Sequence, residues 1–345
     1  AGLRSSSSRI MRWTSHPPVA SLSSSVPGPA LLDHRLLVVT GKGGVGKSTI
    51  AAALALLAAR RGRRVLVCEV NAQERVAPLL GAPPAGYAVR EALPGLSTVN
   101  VTPREAMREY GLMTLRFEAV YDAVFENRVS RYFLRAIPSL SELVMLGKVL
   151  HEVQVEERGR PRWDLVVLDA PATGHAVQLL RVPAALLETV PPGPLRRDAT
   201  WMHALLVDPR RTSLCLVTLP EEMPVNEAIE LDAAVRDQLG MARGARLVSA
   251  LPGGRFAPAG VGRVSGRLEG PPPLGPAAHA ARLQALRAEE ARRHLARARA
   301  AIDLPAVLVP LLARDAWDLG AVEAVAAAVA PALGGATPAA REGGR

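Results

Sequence analysis

The sequence predicts an α/β fold: a mostly parallel sheet flanked by helices, with an inserted helical subdomain. Three observations predict it. Between Leu36 and Val70 an apolar run, a glycine-rich loop, an alanine-rich run and a second apolar run follow in that order. More short apolar runs recur downstream, and about fifty residues of helical pattern interrupt the series after its third member.

Taken in order, Leu36 to Thr40 is a leucine and β-branched run that follows the Pro27-Gly28-Pro29 break and ends at glycine, as a buried strand does. Ser48 to Arg61 is rich in alanine and leucine with no breaker until Gly62, and reads as a helix. Arg64 to Val70 is the second strand, which completes a βαβ unit. Thr98 to Val101, Leu165 to Asp169, Leu214 to Leu219, Arg246 to Ala250 and Ala306 to Leu312 continue the strand series. A sheet whose strands are all apolar must be covered on both faces.

The helical pattern from about 105 to 157 is too long for an ordinary crossover and reads as the insert. Half of the chain's aromatic residues lie there, at Tyr110, Phe117, Tyr121, Phe125, Tyr132 and Phe133, together with Met107, Met113 and Met145. Phe117, Tyr121 and Phe125 share one helix face. That stripe either packs within the subdomain or forms an apolar groove for a partner. Residues from about 252 to 277 are rich in Pro and Gly and read as a linker, and Ala278 to Ala301 as a long surface helix. One domain thus runs from 35 to 335, with tails at 1–34, read as disordered or as an extended start, and at 336–345.

The formal net charge is +10, but the excess is arginine scattered beside Ala, Gly and Pro, with lysine only at 42, 47 and 148. No basic run is interleaved with aromatics, so a solvated surface is expected and no nucleic acid. Cys68 and Cys215 each sit in a strand-like apolar run without CxxC spacing, which argues against zinc or a disulfide and suits a reducing, cytoplasmic setting. No stretch approaches the ~18 to 20 apolar residues of a membrane span, so no integral membrane segment is expected. Residues 1–32 hold many serines, some arginines and no acid, but no clear arginine-spaced amphipathic helix.

The loop carries the chemistry. Gly41, Lys42, Gly43, Gly44, Val45, Gly46, Lys47, Ser48 and Thr49 satisfy G-x-x-x-x-G-K-[ST], with a strand before and a helix after, the pattern of a P-loop NTPase fold. Glycines let the backbone N–H groups curl onto phosphate oxygens, and the helix start adds partial positive charge beneath them. Lys47 reaches the β- and γ-phosphates of ATP, and Ser48 offers its hydroxyl to Mg²⁺. Asp169, at the end of its apolar run, can orient a water on the same ion, or serve as a turn or cap. Pro171 and Gly174 beyond it suggest a mobile loop.

GKGGVGKST, followed by Asp169-Ala-Pro-Ala-Thr-Gly-His175 and Leu179-Leu-Arg-Val-Pro183, resembles the ArsA-type ATPases, which carry a deviant Walker A motif. That group includes arsenite-pump ATPases and factors that target tail-anchored membrane proteins. Ile137-Pro-Ser-Leu-Ser-Glu142 and Thr218-Leu-Pro-Glu-Glu-Met-Pro224 are further matches. The resemblance implies hydrolysis of ATP to ADP and phosphate, with Lys47, Lys42 and Asp169 as catalytic residues. It also implies a homodimer in which Lys42 reaches across to the partner's nucleotide, and Asp169 and His175 relay nucleotide state to the helical insert. The partner is then an apolar protein client or a membrane protein.

The chain departs from that family in three places. Family members place an aspartate after the second strand to position the attacking water; here the run is Glu69-Val-Asn-Ala-Gln-Glu74, with Val70 in its place. Glu69, Asn71 and Glu74 stand as substitutes, and slow hydrolysis is expected. Neither cysteine has a partner for arsenite or for an intersubunit zinc. The asparagine that often reads adenine is replaced by Ser249, so base recognition is expected to use other contacts. Two other readings use the same loop: a positioning ATPase of the MinD or ParA type, and a nucleotide-binding scaffold with little hydrolysis.

Overall fold

In the inner strands successive residues point to opposite faces, and both kinds are apolar, so each strand must be buried twice. In the computed structural model, which describes residues 31–115, 139–252, 274–312 and 314–333, that condition is met by helices on both sides. The chain runs β1 (Leu36–Gly41), α1 (Lys47–Arg60), β2 (Val65–Val70), α2 (Val76–Leu79), β3 (Arg90–Leu93), β4 (Leu96–Val101) and α3 (Pro103–Leu115). After residue 138 come α4 (Leu140–Gln154), the short hairpin β5 (Glu156–Glu157) and β6 (Arg160–Pro161), β7 (Leu165–Ala172), α5 (Thr173–Thr189) and α6 (Pro194–Val207). Then follow β8 (Thr212–Thr218), α7 (Glu222–Ala234), β9 (Arg243–Leu251), α8 (Leu274–Ala301), β10 (Ala306–Pro310) and α9 (Leu319–Val329).

Eight strands form one sheet in the order β10-β9-β8-β1-β7-β2-β4-β3. Every pairing is parallel except β3 with β4 at one edge. This is the mostly parallel, helix-covered α/β sheet that the sequence predicts. Leu36 and Val38 enter the core shared with α4, α5, α6 and α7, while Leu37 and Val39 enter the one shared with α1 and α9. Helix α1 is buried continuously from Ile50 to Ala58, which explains why it is apolar all round instead of striped. Each leucine sunk there contributes about 1.5–3 kcal/mol. Cys68 and Cys215 are wholly buried and belong to opposite cores. Burial pushes both thiols well above the ordinary range, as fits small hydrophobes.

Several boundaries differ from the sequence expectation. Strand β7 does not end at Asp169 but continues to Ala172, and α5 starts at Thr173, so a strand passes directly into a helix where a loop was expected. Pairing of Gly41 with Ala172 holds the extension in the sheet. The region read as linker to 277 gives way to helix at Leu274; Pro276 fits because a first-turn residue needs no N–H partner. The antiparallel edge β3 and helices α5 and α6 were not anticipated. Of the insert, α3 and α4 flank the residues whose aromatic stripe, Phe117, Tyr121, Phe125, Tyr132 and Phe133, lies outside the described residues, as do most of the linker, residues 1–30 and the tail at 336–345. Leu31–Asp33, read as part of a disordered tail, instead forms a 3-10 turn with Leu32 and His34 buried. Helix α4 packs on the sheet through Leu146 and Leu150. Lys148 ties it to α3 by an ion pair with Glu109 at 3.1 Å and also pairs with Glu152 of its own helix at 3.2 Å. No helix among the described residues is long and apolar enough to cross a membrane.

Candidate nucleotide site

The site forms where β1, at the middle of the sheet, delivers its loop to the N-terminus of α1. Gly41 closes β1 against β8, where an added Cβ would stand 2.0 Å from the Val217 carbonyl oxygen, so no other residue fits. Gly44 and Gly46 take left-handed φ values of 85° and 90°, which wrap the loop over the helix start. Lys42, Gly43, Gly44, Val45 and Gly46 span the turn, and Lys47, Ser48 and Thr49 form the first turn of α1. Val45 is buried and anchors the loop to the core, while Gly43, Gly44 and Gly46 leave backbone exposed.

The two lysines of the loop are held differently. Lys47 curls back and donates from Nζ to the Lys42 carbonyl oxygen at 3.1 Å, with its pKa lowered by burial against the opposing pull of Asp169 and Glu227. Lys42 turns away to an ion pair with Glu227 on α7, whose other oxygen accepts from the Thr173 hydroxyl at 3.1 Å. The bond from Lys42 holds the Glu227 carboxyl below its ordinary range. Glu227 and Thr173 were missed in the sequence, since nothing in the pattern of α7 marks one glutamate among several.

Two carboxylates meet beneath the loop. Asp169 on β7 and Glu69 on β2 are register partners. Burial pushes Asp169 up to about 6, opposed by a hydrogen bond from Ser48 and by Lys47. Burial likewise pushes Glu69 up to about 7, although its oxygens accept from the N–H groups of Arg75 at 2.7 Å and Val76 at 3.3 Å. Glu69 thus caps α2. Glu74 is similarly committed, accepting from the N–H groups of Ala85 at 2.5 Å and Gly86 at 2.8 Å. Asn71, the third substitute considered for the water-positioning aspartate, is exposed at the strand end with φ 47°.

Magnesium suits this donor set. Among the described residues Asp169 Oδ1 is buried without a hydrogen-bond partner, and the Ser48 hydroxyl and Lys47 lie near enough to the carboxyl to oppose the rise in its pKa. A hard cation takes oxygen ligands and completes its shell with phosphates and water, so one hydroxyl and one carboxylate suffice from the protein. His175 is exposed in the first turn of α5, on the strand-to-helix connection that Asp169 leads into.

On the far side of the loop a cavity of about 140 Å³ opens between Gly44 to Gly46 and the ends of β9 and β10. Its walls include Ile50, Leu219, Val309, Leu311 and Trp317, and among the described residues no ionisable side chain lines it. Trp317 and Leu311 are more than half exposed at its edge. An apolar slot beside a phosphate loop, outside the carboxyl ends of parallel strands, is where a nucleotide base comes to rest. Ser249 lines this slot, where the sequence, with asparagine replaced, led to the expectation that base contacts lie elsewhere; Trp317 at its edge had no sequence signal.

Comparison with known proteins agrees with this geometry. Residues 34–191 match the family model described as anion-transporting ATPase. The chain is 34% identical over 218 residues to the ATPase BagA of Mycobacterium tuberculosis, a match covering 61% of this chain and 64% of that one. It is 31% identical over 218 residues to an arsenical pump-driving ATPase of Escherichia coli, covering 63% and 35%. A putative arsenical pump-driving ATPase of Halobacterium salinarum is 28% identical over 225 residues, covering 61% and 34%. The match therefore spans less than two thirds of the mycobacterial relative and about a third of the other two.

Proposed function

Residues 34–191 belong to the ArsA-type ATPase family, and from that premise we propose that the protein binds MgATP at the Gly41 to Thr49 loop and uses it to drive a slow conformational switch between two copies of the chain. The observation that carries this reading is the wrapped loop at the start of α1 with Asp169 Oδ1 buried and without a hydrogen-bond partner among the described residues, close enough to Lys47 and Ser48 for both to act on its pKa. The loop amides hold the phosphate chain, and Lys47 leaves the Lys42 carbonyl for the β- and γ-phosphates. Ser48 and Asp169 would hold Mg²⁺, which neutralises charge on the phosphate oxygens when bound.

Lys42 supplies the coupling between subunits in this reading. It is paired within its own subunit to Glu227, so its action on a partner's nucleotide requires that pair to open. Because Glu227 also accepts from Thr173, opening the pair frees the start of α5, which follows Asp169. Hydrolysis to ADP and phosphate is slow, since Glu69 and Glu74 are occupied with backbone amides and Asn71 carries no charge with which to activate water. The same observation favours a second reading, a nucleotide-dependent scaffold that hardly turns over. The output is the binding or release of an apolar protein client or membrane-protein partner through the helical insert. Arsenite stimulation is not expected, because both thiols are buried in opposite cores.

Calorimetry and steady-state phosphate release on wild type, Lys42→Ala and Lys47→Ala test these roles. Lys47→Ala should weaken MgATP binding by about 100-fold or more, as loss of a charge-assisted phosphate contact in a partly buried site does. Lys42→Ala should bind MgATP like wild type but release phosphate at about a tenth of the rate or less, and the wild-type rate per subunit should rise with protein concentration. Hydrolysis by Lys42→Ala at the wild-type rate would remove the intersubunit role.

A further inference from the structure

The strand order gives a bound nucleotide a direction. The apolar slot lies at the ends of β9 and β10, the phosphate loop at β1, and the next strands across the sheet are β7 and then β2. A nucleotide whose base rests in the slot and whose phosphates enter the loop therefore points its last phosphate toward β7 and β2. Val39, Asp169 and Glu69 are register partners on β1, β7 and β2, and such neighbours project to one face of the sheet. Val39 packs in the core that α1 covers, so that is the face of both carboxylates. Helix α2 lies on the same face, with Val76 in that core. The starts of α1 and α2 thus stand on either side of Asp169, one carrying Lys47 and the other preceded by Arg75.

Arg75 is fixed at its backbone and free at its tip. Its N–H donates to Glu69 Oε1 at 2.7 Å, and the N–H of Val76 donates to the other oxygen at 3.3 Å. The residue is exposed, and among the described residues its guanidinium forms neither an ion pair nor a hydrogen bond. Burial raises the pKa of Asp169, and the charge of Arg75 opposes that rise, as do the Ser48 hydrogen bond and Lys47. We propose that Arg75 is a further phosphate-binding residue, whose guanidinium contacts the terminal phosphate of MgATP in its own subunit from the side opposite Lys47. A guanidinium suits that place, since its fork of donors spans two phosphate oxygens and it keeps its charge at any working pH. Glu69 is then a positioning residue, because it holds the backbone of Arg75 and leaves the charged head unpaired. The segment that has Val70 in place of a water-positioning aspartate supplies a cation instead. This inference deepens the reading of Gly41 to Thr49 as a nucleotide site and rests on it.

Calorimetry on the full chain with MgADP and with the magnesium complex of the β,γ-imido analogue of ATP tests this, since only the analogue carries a third phosphate. Arg75→Ala should weaken the analogue about tenfold or more, the loss of one charge-assisted hydrogen bond, and leave MgADP within about twofold of wild type. The bond to Glu69 uses only the backbone of Arg75, so the thermal midpoint of the variant should match wild type. Arg75→Lys should bind the analogue with an affinity between those of wild type and Arg75→Ala, because an ammonium keeps the charge and loses the fork. Unchanged affinity for the analogue in Arg75→Ala overturns the inference. An equal loss for MgADP also overturns it, since the arginine would then act on the loop and not on the terminal phosphate. Should Arg75→Ala fail to fold, Arg75→Gln carries the same outcomes. A wild type that binds neither compound removes the phosphate-site reading itself, and this inference with it.

Discussion

The two ends of the candidate nucleotide site are built on opposite principles. The phosphate end is mostly a short continuous segment, Gly41 to Thr49, which offers backbone amides and two lysines, set over one buried carboxylate, Asp169, supplied by β7. The base end is assembled from separate stretches, at Leu219, Ser249 to Ala250, Val309 to Leu312 and Trp317, and among the described residues its lining contains no ionisable group. One end needs particular backbone conformations and charges. The other needs only apolar surface of the right shape. The phosphate end should therefore fail sharply under small changes, and the base end gradually.

The largest effect should come from the smallest substitution. Gly41→Ala places a methyl group 2.0 Å from the Val217 carbonyl oxygen, which is backbone and cannot swing aside. β1 and β8 must then part at the centre of the sheet. The cost should be about 3 kcal/mol, a fall of roughly 6 °C or more in the thermal midpoint, with MgATP binding lost. Gly44→Ala, at φ 85° with open space around its Cβ position, should cost only about 1–2 kcal/mol of backbone strain. Equal melting temperatures for the two variants would show that close approach at Gly41 does not set the loop.

A pH titration sharpens the comparison further. Asp169 and Glu69 have folded-state pKa values raised by burial to about 6 and about 7. A group whose folded value lies above its unfolded one favours the folded chain below the unfolded value, near 4, and that contribution is lost as pH rises through the folded value. The nucleotide-free protein should therefore gain from these two groups as pH falls from 8 toward 5. MgATP binding should move the other way, because magnesium needs the ionised Asp169, and affinity should drop about tenfold between pH 7.5 and 5. Calorimetry and thermal melts across that range measure both trends. In Asp169→Asn the dependence of binding on Asp169 should vanish, and an unchanged pH profile there would dissociate the carboxylate from the metal.

Legibility in the sequence follows the same division. The wrap of the loop was readable in the sequence because its glycine spacing between a strand and a helix matches the backbone here, where Gly44 and Gly46 take left-handed φ values and Gly41 packs against Val217. The order of apolar runs was enough for the parallel sheet, since strands buried on both faces leave a continuous signal. The extension of β7 past Asp169 was hidden because Pro171 looks like a breaker, yet it sits at the strand's end, where Thr40 donates to its carbonyl at 3.2 Å. Glu227 could not be picked out on α7, as its role depends on Lys42, 185 residues away in the chain. Trp317 lies between β10 and α9 in a stretch without periodicity, so only tertiary structure brings it to the slot.

The base end supplies the smallest predicted effect and the cleanest separation of the two halves. Trp317 is about half exposed at the slot's edge, so its ring covers only one side of a bound base. Stacking on an aromatic ring contributes about 1–3 kcal/mol per base, and partial exposure places this case near the lower bound. Trp317→Ala should then weaken MgATP about fivefold, with no added pH dependence, because no ionisable side chain among the described residues lines the slot. Tripolyphosphate, which has no base, should bind the variant as it binds wild type. Loss of tripolyphosphate binding in Trp317→Ala would mean that the ring supports the loop instead of the base, and the division of the site into two independent halves would have to be abandoned.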